Sequence, residues 1–153
     1  MLRIVLLLAH VGVATAWVGG MVYSLAVVQP KAARFFGTDE EAHEAFLTTM
    51  ASGNRSKVLA LIGALALTGG ALLLVAADPE RPLALGIHAA KGVLLLAALA
   101  VFVDVSWRQW PRRVFALPEE RNGVRVRFRR SAYALLALVG AAFALGVVAA
   151  HRG

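Results

Sequence analysis

The sequence LALGIHAAKGVLLLAALAVFVDV at residues 83–105 is apolar for most of its length, yet it contains His88 and Lys91. A helix rises about 1.5 Å per residue, so roughly 20 apolar residues cross a hydrocarbon core of about 30 Å. Ionisable side chains are costly inside such a core and usually mark a functional site. This stretch therefore predicts a transmembrane helix that carries a site.

Three further apolar blocks, at residues 4–28, 58–77 and 132–150, have a similar length. The chain has 153 residues, of which 59% are hydrophobic; soluble domains are nearer 45–50%. Unbroken apolar runs exclude the alternating pattern of a membrane β-barrel. We predict an all-α, integral membrane four-helix bundle with up-down-up-down order, in which residues 1–153 form one membrane domain in contact with the lipid bilayer.

Positive charge is concentrated in the connections at residues 29–57 and 106–131, and the second of these holds eight arginines. Short loops rich in lysine and arginine stay in the cytoplasm, so both connections are predicted there and both termini outside. The net charge of +7 is then explained by basic membrane loops, and we predict no nucleic-acid partner. The absence of cysteine excludes disulfides, iron–sulfur clusters and thiolate metal sites.

Local motifs predict how the connections are built. Thr38-Asp39-Glu40-Glu41 has the spacing of a capping box and predicts a short amphipathic helix. Pro30 is predicted to end the first span, and residues 78–82, DPERP, to form a tight turn. Residues 121–130 alternate arginine with valine and phenylalanine, which predicts either a small hairpin or a surface that binds anionic lipid headgroups. We find no internal repeat.

Two histidines lie at matching depth. His10 follows Arg3 by seven residues and His88 follows Arg81 by seven, so each lies roughly 10 Å below the outer boundary. Spans one and three are diagonal partners in a bundle with short connections, which leaves room for a flat macrocycle between them. Two imidazoles across that space are a suitable axial pair for haem iron. We predict haem b bound by His10 and His88 near the outer face.

Neighbouring residues fit such a site. Lys91 shares a helix face with His88 and could pair with a haem propionate. Ala14 and Trp17 lie on the helix stripe of His10, and small residues such as Gly92 let a cofactor approach. A bare copper ion bound by His10, His88 and Met21 is one alternative. In the second alternative, His10 and His88 bind no cofactor and only form hydrogen bonds between helices. Asp104, at the inner end of span three, is predicted to pair with arginines.

The motifs also resemble a known group. Ala9-His10-Val11-Gly12, followed by residues 16–20, AWVGG, is similar to the first helix of the copper resistance protein D family and the related HemJ-type protoporphyrinogen oxidases. Residues 88–96, HAAKGVLLL, resemble the segment in which those families place an intramembrane lysine. The resemblance implies a four-helix protein of the bacterial plasma membrane. Its HemJ-type branch implies b-type haem, with His10 and Lys91 at functional positions.

The function expected is therefore that of a b-type haem protein with a redox or electron-transfer role. A copper-handling transport protein and a HemJ-type oxidase are the alternatives, and a cofactor-free scaffold is a third. A quinone, a porphyrin or a redox protein is the expected partner, and a homo-oligomer is compatible with the sequence.

Overall fold

The computed structural model describes residues 1–75, 82–117 and 119–151. These residues form seven α-helices and two π-helical segments, without a strand among them. The helices are α1 (Leu2–Tyr23), α2 (Gln29–Phe36), α3 (Glu40–Ala51), α4 (Asn54–Val75), α5 (Pro82–Asp104), α6 (Trp110–Val114) and α7 (Arg121–His151); the π-helical segments are Ser24–Val28 and Val105–Gln109.

Four helical stretches of the described chain are long and apolar enough to cross a membrane: Leu2–Phe36, Glu40–Val75, Gly86–Val114 and Arg121–Ala149. Their outer surfaces are covered with large apolar side chains; Leu67, for example, is 77% exposed. Such a surface is stable in lipid and unstable in water. The protein is a multi-pass membrane protein, and the predicted all-α four-helix fold is confirmed.

The core is formed jointly by the four spans. It consists of Trp17 from α1, Ile62 and Leu65 from α4, Ala98 and Phe102 from α5, and Leu135 and Val139 from α7. The largest interfaces join α5 to α7 and α1 to α4, and a smaller one joins α1 to α7. No extensive interface joins α1 to α5 in the described residues, as their predicted diagonal placement requires.

The prediction that Pro30 ends the first span is wrong, because the helix continues to Phe36 through the π-helical segment Ser24–Val28. Proline has no N–H, and its ring collides with the carbonyl four residues earlier. A π-turn shifts the hydrogen bonds from four residues to five: the Gln29 N–H bonds to the Ser24 carbonyl. The proline is thereby placed in the first turn of α2, where no N–H is needed.

The third span also contains a proline that follows a π-helical segment. The segment Val105–Gln109 is π-helical, and Pro111 lies two residues after it. In a π-helix each carbonyl accepts a hydrogen bond from the N–H five residues later. For the Ser106 carbonyl that residue is Pro111, which has no N–H. That carbonyl instead accepts a hydrogen bond of 2.5 Å from Arg55 Nη2 at the start of α4. The Arg55 side chain thus links the start of α4 to the π-helical segment that precedes Pro111.

Residues 121–130 form the beginning of α7, so the hairpin predicted for them is wrong. Arginine is a good helix former, and once a span is helical, adding residues to its end is favourable. The predicted short helix in the first connection is confirmed as α3. Its cap is Asp39, whose carboxylate accepts a hydrogen bond from the Ala42 N–H at 3.0 Å. The turn predicted at 78–82 begins outside the described residues, which resume at Pro82.

Candidate functional site

His10 on α1 is half-buried and faces α4. Its Nδ1 lies 2.7 Å from Thr68 Oγ1. The Thr68 hydroxyl donates its one proton to the Ala64 carbonyl on the preceding turn, at 2.6 Å. The hydroxyl oxygen is then left to accept, so His10 donates from Nδ1. This arrangement fixes the neutral imidazole in the tautomer whose Nε2 has a free lone pair.

A glycine makes room for this imidazole. A Cβ on Gly69 would lie 3.3 Å from His10 Cε1, tighter than most real Cβ contacts. Gly69 therefore allows α4 to approach the ring closely, next to the threonine that holds it. The sequence offered a sign of this pair, since Thr68 is the only polar side chain in residues 58–77. The sequence prediction did not include it.

Lys91 on α5 occupies a similar position against α7. It is half-buried, and a Cβ on Gly146 would lie 3.3 Å from its Nζ. The ammonium group therefore lies against a gap in the side chains of α7. Each of the two ionisable groups, His10 and Lys91, thus rests on a glycine of the span that follows its own in the chain.

His10 lies within the range of direct electrostatic interaction with both Lys91 and His88. His88 is half-buried, like His10. The structure therefore brings the three ionisable groups predicted for the site into one region. They come from α1 and α5, which do not pack extensively on each other.

The remaining predicted residues are distributed differently. Trp17 is 5% exposed and lies in the central apolar core, with Ala14 and Met21 packed against that core. Gly92 is exposed, and nothing lies within 4 Å of the position that its Cβ would take. Across the described residues, no group of three or more histidine, aspartate and glutamate side chains is arranged to hold a metal ion. A porphyrin supplies four of the iron ligands itself, so two histidines are sufficient for haem.

A second polar cluster occupies the arginine-rich end of the bundle. Gln109 is 7% exposed, and its Nε2 donates to Asp104 Oδ2 at 2.7 Å and to Ser131 Oγ at 2.8 Å. Asp104 also pairs with Arg108 at 3.7 Å, which confirms the predicted pairing of this aspartate with arginine. Sequence reasoning missed Gln109, because an isolated glutamine beside an arginine-rich loop gives no sign of burial.

An ion-pair cluster lies beside it. Glu44 on α3 bonds to Arg113 on α6 at 2.5 Å and pairs with Arg125 on α7 at 3.8 Å. The Arg113 side chain is 8% exposed and Glu44 18%, and the Arg113 guanidinium lies 4.9 Å from the centre of the Phe128 ring. These contacts fix α3 against the end of the bundle. They are far along the chain from His10 and His88 and belong to a different part of the molecule.

Comparison with models of known protein families, with curated protein sequences and with solved structures finds no match for this chain. The resemblance to the copper resistance protein D and HemJ-type families stays a prediction. The geometry around His10 is therefore the main structural feature that bears on function.

Proposed function

We propose that this protein binds haem b in the membrane, between His10 on α1 and His88 on α5, and serves in electron transfer or haem-linked redox chemistry. The observation that supports this most directly is the hydrogen bond from His10 Nδ1 to Thr68. Histidines that bind metals almost always donate their other ring N–H to a fixed acceptor, which orients the ring and sets the tautomer. Thr68 supplies that acceptor.

The surroundings are suitable for a neutral ligand. A half-buried imidazole held by one hydrogen bond keeps Nε2 available as a lone-pair donor. The ring packs against Gly69, and within residues 1–75, 82–117 and 119–151 no acidic side chain forms an ion pair with it. The separation of α1 from α5 is the second supporting feature, because two helices in direct contact leave no space for a macrocycle.

Lys91 has a complementary role in this proposal. Haem b carries two negatively charged propionates, and an ammonium group in a low-dielectric region attracts such a group strongly. Lys91 lies within electrostatic range of His10 and would orient the macrocycle by pairing with a propionate. Bound haem would supply one-electron chemistry, while His10, His88 and Lys91 hold its orientation.

The setting of the proposed activity is the bacterial plasma membrane, with the connections at 29–57 and 106–131 in the cytoplasm. The excess of positive charge in these connections supports that orientation. The site would then lie in the outer half of the bilayer. A quinone, a porphyrin or a redox protein would exchange electrons with it, and a homo-oligomer is compatible with the apolar outer surfaces.

An optical spectrum tests the proposal. Purified protein, reduced with dithionite, should show sharp α and Soret bands of low-spin haem in the difference spectrum against the oxidised form. His10→Ala and His88→Ala should each abolish the low-spin bands, because each removes one axial ligand. His43→Ala is the control and should retain them, since His43 stacks on Phe36 in the connection between the first two spans.

Thr68→Val separates a ligand from a structural histidine. If His10 binds iron, the variant keeps the haem but changes its midpoint potential, because the ligand loses the acceptor that sets its basicity; Thr68→Ser should restore the potential. Bound copper without haem bands would favour the copper-handling alternative. Purified protein with neither haem nor metal, after expression with ample haem supply, would contradict the proposal.

A further inference from the structure

The arginines at the inner end of the bundle fall into two groups. Several are paired with acidic side chains within 4 Å: Arg108 with Asp104, Arg113 with Glu44, and Arg125 with Glu40 and Glu44. Arg112 and Arg127 have no such partner in the part of the chain that the structure describes. Their charge is therefore not compensated by the protein itself.

Arg112 and Arg127 line the same cavity. It has a volume of about 600 Å³ and lies between α6 and the first turns of α7. Glu120 also lines the cavity, and its carboxylate accepts a hydrogen bond from the Leu117 N–H at 3.3 Å. The cavity is thus lined by two arginines and one carboxylate, which leaves an excess of positive charge, and guanidinium groups match phosphate oxygens in both charge and geometry.

A buried amide holds this side of the cavity in place. Gln109 lines the cavity, and its Nε2 donates hydrogen bonds to Asp104 and to Ser131 on α7. Its Oε1 is buried, so this oxygen is not exposed to a molecule in the cavity.

Apolar side chains complete the lining. Val124 and Phe115 border the cavity, and Phe115 is 82% exposed although it lies at the end of a membrane span. An exposed aromatic ring at this level is typical of the boundary between headgroups and acyl chains. The occupant should therefore have an apolar part as well as an anionic one.

We propose that this cavity binds the headgroup of an anionic phospholipid such as phosphatidylglycerol. Arg112 and Arg127 bind the phosphodiester, and the acyl chains lie beside Phe115. The site is independent of the haem proposal, because it lies at the opposite end of the spans from His10.

Native mass spectrometry of the full chain in a neutral detergent tests this site by titration with lipids of identical acyl chains. Phosphatidylglycerol should bind several-fold more tightly than zwitterionic phosphatidylethanolamine, because only phosphatidylglycerol carries a net negative charge. The double variant Arg112→Gln/Arg127→Gln should weaken phosphatidylglycerol binding by about tenfold or more, because two charge-assisted contacts are lost.

The control is Arg34→Gln/Arg129→Gln, which removes the same charge from positions that do not line the cavity. If this control weakens binding as much as the cavity variant, the attraction is a general surface effect and the proposal is overturned. Equal affinity for phosphatidylethanolamine would also overturn the proposal. Inorganic phosphate that displaces the lipid at millimolar concentration would show that the site takes a soluble anion instead.

Discussion

Gly69 and Gly146 are, among the described glycines, the two whose Cβ would meet another residue within 4 Å. In each case that residue is ionisable, His10 or Lys91. A Cβ at either position would lie 3.3 Å from the ionisable group and displace it by a few tenths of an ångström, so the two glycines help to position the site without taking part in its chemistry. This role depends on how closely neighbouring helices approach each other, and the sequence alone does not show that distance.

Gly69→Ile tests this positioning and rests on the proposed haem site. The branched side chain would overlap the His10 ring, because even a Cβ alone lies 3.3 Å from Cε1. The ring must turn, its bond to Thr68 is lost, and we expect the low-spin haem bands to disappear. Gly70→Ile is a matched control, since Gly70 is exposed and its Cβ has nothing within 4 Å. Equal haem content in the two variants would contradict this role for Gly69.

Depth and residue type can be counted from the span boundaries, and from them we predict which ionisable residues form one cofactor site. His10, His88 and Lys91 were identified in this way. Thr68 was not, because a single threonine in an apolar span is common and only the packing of α1 on α4 brings it to His10. Trp17 was assigned to the site from its helix stripe, and the structure places it in the core.

At the scale of elements, α3 is held by charge as well as by apolar contact. It joins the bundle through Glu44, whose partner Arg113 is almost completely buried. A buried pair contributes little net stability when intact, but removal of one partner leaves an isolated charge in a poorly solvated place. The attachment of α3 therefore depends on Glu44 being present and ionised.

Glu44→Gln should lower the free energy of unfolding by about 3 kcal/mol, because Arg113 is left buried without a counter-ion. Glu41→Gln is the control: Glu41 is exposed on the same helix and should change stability by less than about 0.5 kcal/mol. Chemical denaturation in detergent, followed by circular dichroism, measures both values. Similar losses in the two variants would show that the buried pair does not hold α3.

The ends of the helices could be predicted where an apolar run stops, but not where a proline follows the run. Pro30 was interpreted as a stop because proline usually ends a helix, but the π-helical segment before it removes the conflict. Nothing in the residue types of SLAVV or VSWRQ predicts a π-turn. The hairpin predicted at 121–130 is wrong for a related reason. Charged and apolar residues alternate there, but extending the adjoining helix is more favourable than starting a new strand pair.

At the scale of the whole molecule, the two halves of the bundle correspond. In each, a span with a π-helical segment two residues before a proline packs on the next span, α1 on α4 and α5 on α7. His10 precedes Pro30 by 20 residues, and Lys91 precedes Pro111 by the same number. Each rests on a glycine of its partner span. The sequence shows no recognisable repeat, because the two halves share only a proline, a glycine and the 20-residue spacing from the ionisable residue to the proline.

This arrangement predicts that the protein can be divided. Each half contains one of the two largest interfaces, and the halves meet mainly through α1 and α7. Chains cut between residues 75 and 82 and expressed together should assemble in the membrane, because helices inserted separately can associate by packing. Co-purification through a tag on one half measures assembly. A cut between Phe36 and Glu40 places the large α1–α4 interface between the two fragments and is the positive control. If only that cut gives a complex, the α1–α7 contact is too weak to join the halves and the prediction is wrong.

The π-helical segments affect how the arginine-rich end of the molecule is oriented relative to the membrane-spanning bundle. Each segment lies where the lipid-embedded bundle gives way to the charged end, and each acts as one inserted residue, worth about 100° of rotation in a helix. Deleting that residue would turn Arg112 and Arg113 away from their present directions while leaving the membrane layer in place. Each segment therefore sets how the charged end of the molecule is rotated relative to the spans that support it.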